Sequence, residues 1–138
     1  MILFGTILKK FFRSQFYYFA IVGSIGFIID TSVFYVLHLE IDYALSRIIS
    51  ILTALTITWL ANRTITFQVE KKASHLEWLK YVVMNSIGAL INFSVFIFLA
   101  KSNPFLKQYF IIPLALATGV SMWFNFGMNK FYIFRKKK

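Results

Sequence analysis

The sequence predicts an all-α membrane protein, with four transmembrane helices paired as two parallel helical-hairpin repeats and both termini in the cytoplasm. Three observations lead there. Hydrophobic residues make up 59% of the 138 and charged residues only 14%, too little polar surface to cover a soluble globule of this size. Four apolar runs each match the ~20 helical residues needed to cross a hydrocarbon core of roughly 30 Å. Two phrases also recur in order: SIGFIIDTSVF (24–34) matches SIGALINFSVF (86–96) at an offset of 62, and NRTITF (62–67) matches NKFYIF (129–134) at an offset of 67.

The four runs are residues 16–37, 43–61, 81–100 and 109–128. The first holds one charge, Asp30, the second one, Arg47, and the last two none. None alternates between apolar and polar residues as the wall of a membrane barrel does. In residues 1–15, MILFGTILKKFFRSQ, the apolar part precedes the charges and no small-residue cleavage site follows, so an interfacial helix or plain tail fits better than a signal peptide. The whole chain, 1–138, reads as one transmembrane domain: repeat 1 over 16–67, a polar linker over 68–78, and repeat 2 over 79–135. A longer second loop absorbs the difference between the two offsets. Each half runs out and back, which relates the hairpins by a pseudo-two-fold axis along the membrane normal, an arrangement known in transporters.

Orientation follows from the basic residues, which are retained in the cytoplasm during insertion. Lys9, Lys10, Arg13, Arg63, Lys71, Lys72, Lys80, Lys130, Arg135, Lys136, Lys137 and Lys138, 12 of the 15, fall on one side, against Arg47, Lys101 and Lys107 on the other. The loops HLEID (38–42) and KSNPFLKQ (101–108) then face outward. The net charge of +10 is interspersed between apolar runs rather than spread over a soluble face. That distribution excludes nucleic acid and favours anionic lipid head groups. There is no cysteine, hence no disulfide or thiolate metal site.

Polar residues inside the spans fall into stripes. In the second span Arg47, Ser50, Ala54, Thr58 and Asn62 recur at spacings of three or four and share a helix face. Shifted by 67, the stripe becomes Leu114, Ala117, Ser121, Asn125 and Asn129. Asn85, Gly88 and Asn92 line the third span as Gly23, Gly26 and Asp30 line the first. Small and amide residues of this kind let helices approach and hydrogen-bond, and helix packing accounts for most of them as well as ligand binding does.

Asp30 is the strongest single signal, because a carboxylate inside a span costs about 3 kcal/mol on insertion scales. Counting ~1.5 Å per residue puts Asp30 and Arg47 at similar depth in the outer half of the membrane. They pair to fix the hairpin register, or Arg47 snorkels alone, or Arg47 meets a ligand phosphate with Asp30 holding the guanidinium beforehand. Arg63 and Lys130 stand at the cytoplasmic ends of spans two and four, each followed by aromatics suited to the interface. Both serve as positive-inside stops, and both are chemically fitted to phosphate, arginine by a two-pronged grip and lysine by a point charge. No catalytic constellation and no glycine-rich phosphate loop appears, so neither an enzyme nor a cofactor is expected. His38 and His75 read as solvated residues of an outer loop and the linker.

The pattern of four spans, with YFAIVGSIGFIID in the first and an Asn-basic-x-x-x-aromatic phrase closing the second and fourth, resembles the GtrA family, also found as the membrane portion of some dolichol-phosphate-mannose synthases. The resemblance covers residues 16–135 and departs from strict duplication at Thr58 against Asn125 and Arg63 against Lys130. It implies a multi-pass protein of the cell membrane that moves a polyprenyl-phosphate-linked monosaccharide to the outer leaflet, beside a membrane glycosyltransferase. On that expectation Arg63, Lys130 and Arg47 contact the lipid phosphate. Asp30, Asn62, Asn85, Asn92, Asn125 and Asn129 form the polar, sugar-binding seam. Four helices make a slender bundle, so self-association through small-residue faces is expected. The alternatives are a non-transporting anchor for the glycosyltransferase and a small drug-proton antiporter using Asp30, the latter disfavoured by the one-sided charge bias.

Overall fold

A computed structural model describes residues 2–109 and 111–135, with side-chain surroundings from residue 14 onward. The side chains of Lys9, Lys10 and Arg13, and Lys136, Lys137 and Lys138 entirely, lie outside the described residues. The described backbone is helical apart from its connections: α1 (Ile2–Leu37), α2 (Tyr43–Ala61), α3 (His75–Ser102), a short α4 (Pro104–Gln108) and α5 (Ile111–Met128). Two wide π-helical turns, Asn62–Thr66 and Asn129–Ile133, extend α2 and α5. Among the described residues, four segments are long and apolar enough to cross a membrane: Ser14–Leu37, Tyr43–Thr66, His75–Ser102 and Ile111–Ile133.

Local sequence explains where these elements start. Asp42 caps α2, its carboxylate accepting the N–H of Ala44 at 2.9 Å and of Leu45 at 3.2 Å. Ser74 caps α3 by accepting the N–H of Glu77, the first half of a Ser-x-x-Glu box. The third helix therefore begins at His75, earlier than the apolar run alone predicts, and His75 is an exposed first-turn residue rather than part of a linker. Asn103 accepts the N–H of Phe105 with Pro104 at the first helical position, so the loop expected over 101–108 contains a helical turn. Residues 2–15 are helical and, with no Pro among them, continue without a break into the first span as one helix.

The chain divides into two compact units, Met1–Ala73 and Ser74–Lys138. In the first, α1 packs along α2; in the second, α3 packs along α5. Each pair has a narrow interior. Phe19, Val22, Ala54, Trp59 and Phe67 are buried in the first unit, and Tyr81, Ala117, Phe126 and Phe134 in the second. Large apolar side chains such as Phe27, Leu90 and Phe98 point outward, as lipid-facing residues do.

The predicted stripe on α2 is shifted by one residue at its start. Ser46, Ser50, Ala54, Thr58 and Asn62, spaced by four throughout, are the buried set, while Arg47 is exposed beside it. Ser46 fits because its hydroxyl donates to the Asp42 carbonyl at 2.8 Å and leaves no polar atom wanting. In α5 Pro113 takes the buried place and Leu114 is exposed.

Candidate functional site

The repeated phrase builds the same backbone device twice. In each copy the Asn carbonyl accepts the N–H of the aromatic five residues on, Phe67 from Asn62 and Phe134 from Asn129, both at 2.8 Å. That spacing widens the helix into a π-turn, a feature that often marks functional positions. The closing aromatic then docks on the partner helix: Phe67 against Phe19 at 6.3 Å, and Phe134 against Tyr81 at 6.2 Å between ring centroids. The recurrence of Asn and aromatic thus has a structural cause, and the basic residue between them is what chemistry has to account for.

Arg63 is 7% exposed. Its carbonyl accepts the Val69 N–H at 2.9 Å, and its Nη1 donates back to the Val69 carbonyl at 3.2 Å. Gln68, between Phe67 and Val69, adopts a left-handed φ of 49° that turns the chain back toward the guanidinium. Arg63 therefore clasps the exit of the first hairpin with part of its donor fork. Lys130 lies differently, half-buried, with Nζ 5.6 Å from the Phe126 centroid and 5.9 Å from that of Phe131. Lys80 stands over the neighbouring Tyr132 at 5.5 Å.

Toward the other end of the first unit, Asp30 and Arg47 meet. Arg47 Nη1 lies 2.8 Å from Asp30 Oδ2, with the arginine side chain 45% exposed and the aspartate 17%. The guanidinium also sits 5.8 Å from the centroid of Phe34. Phe34 stacks on His38 at 5.3 Å and meets Tyr43 edge-on at 5.0 Å. His38, expected to be solvated, is half-buried, with Nδ1 3.1 Å from the Phe34 carbonyl oxygen. Asp30 Oδ1 is buried and has no hydrogen-bond partner among the described residues.

The second unit replaces that ion pair with neutral contacts. Asn92 Nδ2 donates to the hydroxyls of Thr118 and Ser121, each at 3.3 Å. Asn85 is turned into its own helix, donating to the Tyr81 carbonyl at 2.8 Å, and joins no inter-helix network through that bond. A glycine in each unit marks a close approach between its two helices. A Cβ on Gly26 would overlap the Thr58 methyl, and one on Gly88 would overlap the Asn125 amide.

Asn62 and Asn129 are 2% and 0% exposed. Thr66 donates its hydroxyl to Asn62 Oδ1 at 2.9 Å, whereas Asn129 uses its Nδ2 on the Asn125 carbonyl at 2.7 Å. Among the described residues no donor reaches Asn125 Oδ1 or Asn129 Oδ1.

Sequence reasoning missed Thr118, one turn from Leu114 and three residues from Ser121, whose polar character carried the signal. It missed Gln15 as well, a buried residue just ahead of the apolar run that only the continuity of α1 makes part of the unit. No group of three or more His, Cys, Asp or Glu side chains suited to a metal occurs among the described residues.

A search of curated proteins returns no match. The model of the GtrA/DPMS transmembrane domain matches residues 18–138, most of the chain including both hairpins and both π-turns. With four spans of the right length and that match, the chain is a multi-pass membrane protein and belongs to the GtrA/DPMS transmembrane-domain family.

Proposed function

We propose that this protein, without itself catalysing a covalent reaction, moves a polyprenyl-phosphate-linked monosaccharide from the cytoplasmic to the outer leaflet of the cell membrane for polysaccharide glycosylation. Family membership ties it to polyprenyl-phosphate-sugar chemistry. The observation that carries the transport reading is on α2, where Arg47 and Arg63 stand 16 residues apart along one nearly continuous helix. That is about 24 Å along the axis, somewhat less than the roughly 30 Å hydrocarbon core, a difference that two long arginine side chains reaching outward can span. One cation thus belongs near each leaflet's phosphate level. Arg63 in the first unit and, separately, Lys130 in the second each offer a cation to the phosphate on the cytoplasmic side, the side on which the basic bias puts both termini, and Arg47 receives it opposite while Asp30 neutralises the guanidinium between visits.

We read the two units as duplicates of one hairpin. Matched positions make matched contacts, Phe19 with Phe67 and Tyr81 with Phe134, Gly26 with Thr58 and Gly88 with Asn125. The partners of this reading are the sugar lipid, a membrane glycosyltransferase that makes it, anionic lipids drawn to the basic residues, and further copies of the chain.

Liposomes containing the purified protein alone, with a polyprenyl-phosphate hexose initially in one leaflet, test the proposal. Transbilayer exchange at least about tenfold faster than in protein-free vesicles is expected. Exchange no faster than the protein-free control would remove the transport reading and leave an anchor for the glycosyltransferase.

A further inference from the structure

The two π-turn ends share a plan but differ in hydrogen-bond accounting. In the first unit Thr58 satisfies its own hydroxyl by donating to the Ala54 carbonyl at 2.8 Å, and Thr66 supplies the donor to Asn62 Oδ1. In the second unit Asn125 replaces Thr58, and Ile133, which has no hydroxyl, replaces Thr66. Two amide oxygens one helical turn apart, Asn125 Oδ1 and Asn129 Oδ1, are consequently buried without a donor among the described residues. The Asn129 orientation is held, since turning its amide would forfeit its 2.7 Å bond to the Asn125 carbonyl, and the Asn125 side chain is kept in place by Gly88, against which it is pressed where even a methyl group would not fit. Each unpaired acceptor costs about 1–3 kcal/mol, so a ligand that donates to them recovers a penalty the empty protein carries.

Two neutral oxygens call for a hydroxyl donor or a cation. The next residue after Asn129 is Lys130, whose ammonium opposes a second positive charge, and no carboxylate, imidazole or thiol cluster is present among the described residues to offset it. We infer that Asn125 and Asn129 are the sugar-reading residues, that they accept hydrogen bonds from hydroxyls of the monosaccharide while Lys130 holds its phosphate, and that α2 offers no equivalent pair because Thr58 and Thr66 close its matching positions internally. The inference rests on the sugar-lipid reading above and assigns the recognition to one unit. The wide π-turn at Asn129–Ile133 departs from regular helical bonding next to these two oxygens.

The test compares binding of undecaprenyl phosphate with its glucosyl, mannosyl and galactosyl esters in detergent micelles. The wild type should prefer at least one ester over the bare lipid by about tenfold or more. Ile133→Thr offers Asn129 Oδ1 the same internal donor that Thr66 gives Asn62, and should abolish most of that preference while bare-lipid affinity, the check on folding, stays at the wild-type level. Asn125→Thr should weaken the preferred ester similarly. Thr66→Ile, the mirror change in the first unit, should leave the preference intact. The inference is overturned if Ile133→Thr and Asn125→Thr retain the preference, if Thr66→Ile reduces it equally, or if no ester is preferred, the last meaning that the two oxygens serve only structural water. A wild type that prefers an ester yet shows no transbilayer exchange would fail the transport proposal alone, and one that binds none of the four lipids would fail both.

Discussion

Removing the partners of the Asp30–Arg47 pair one at a time should cost unequal amounts, and the inequality can be worked from their exposure. Asp30→Asn leaves a guanidinium that is 45% exposed and still rests over Phe34, so its charge keeps access to polar surroundings and a cation–π contact. The expected loss is about 1–2 kcal/mol, between the values for exposed and buried pairs. Arg47→Gln instead strands a carboxylate that is 17% exposed and whose Oδ1 already lacks a partner among the described residues, which points to about 3 kcal/mol. At about 4 °C per kcal/mol for a chain of this size, the midpoints should fall by roughly 4–8 °C and roughly 12 °C. The double variant removes both charges and their desolvation cost and should melt above Arg47→Gln, within about 4 °C of the wild type. Melting of purified protein and lipid exchange in vesicles are measured together. If the pair only fixes the hairpin, the double variant recovers both properties; if Arg47 receives the phosphate, it recovers stability but not exchange, which is the expected result. An Asp30→Asn variant less stable than Arg47→Gln would refute the exposure argument, and a stable, fully active double variant would take Arg47 out of the path.

Gly26→Ala should destabilise by about 1–2 kcal/mol, because the new methyl meets the Thr58 methyl, whose rotamer is held by the hydroxyl bond to Ala54; Thr58→Ser in the same chain should restore the wild-type midpoint, and failure of that rescue would show that the contact does not set the helix spacing. Arg63→Ala should weaken polyprenyl-phosphate-sugar binding about tenfold or more and loosen the Val69 turn. Arg63→Lys should recover only part of the binding, since the two-pronged grip is lost, and equal affinity for all three proteins would remove Arg63 from the site. Single cysteines at Ser74 and Ser102 should react with impermeant reagent from opposite sides of intact cells, as the 12 to 3 division of basic residues requires; labelling of either position from both sides would revive the dual-orientation antiporter.

The sequence by itself determined that the chain spans a membrane four times, because the length and apolarity of a run are local properties that water and lipid read directly. The caps of α2 and α3 are equally local, since Asp42 and Ser74 need only the next turn of their own helices, but the apolar runs by themselves did not reveal them. Orientation and the duplicated hairpin are sequence-level expectations of the same kind, resting on charge counts and matched phrases. What periodicity alone left open was register. Spacings of three and four both keep residues on one helix face, so Arg47 and Ser46 were equally eligible for the buried stripe, and only packing along α1 buried Ser46 and left Arg47 beside Asp30. The purpose of the repeated phrase was hidden as well, because a π-turn is recognised by which carbonyl an N–H reaches, and that bond from Phe67 to Asn62 depends on the aromatic being drawn onto Phe19. The difference between the two amide-bearing ends was likewise decided in three dimensions. Thr66 and Ile133 differ by a hydroxyl in the sequence, but that hydroxyl matters only because each Asn oxygen is sealed from water, where an absent donor has no substitute.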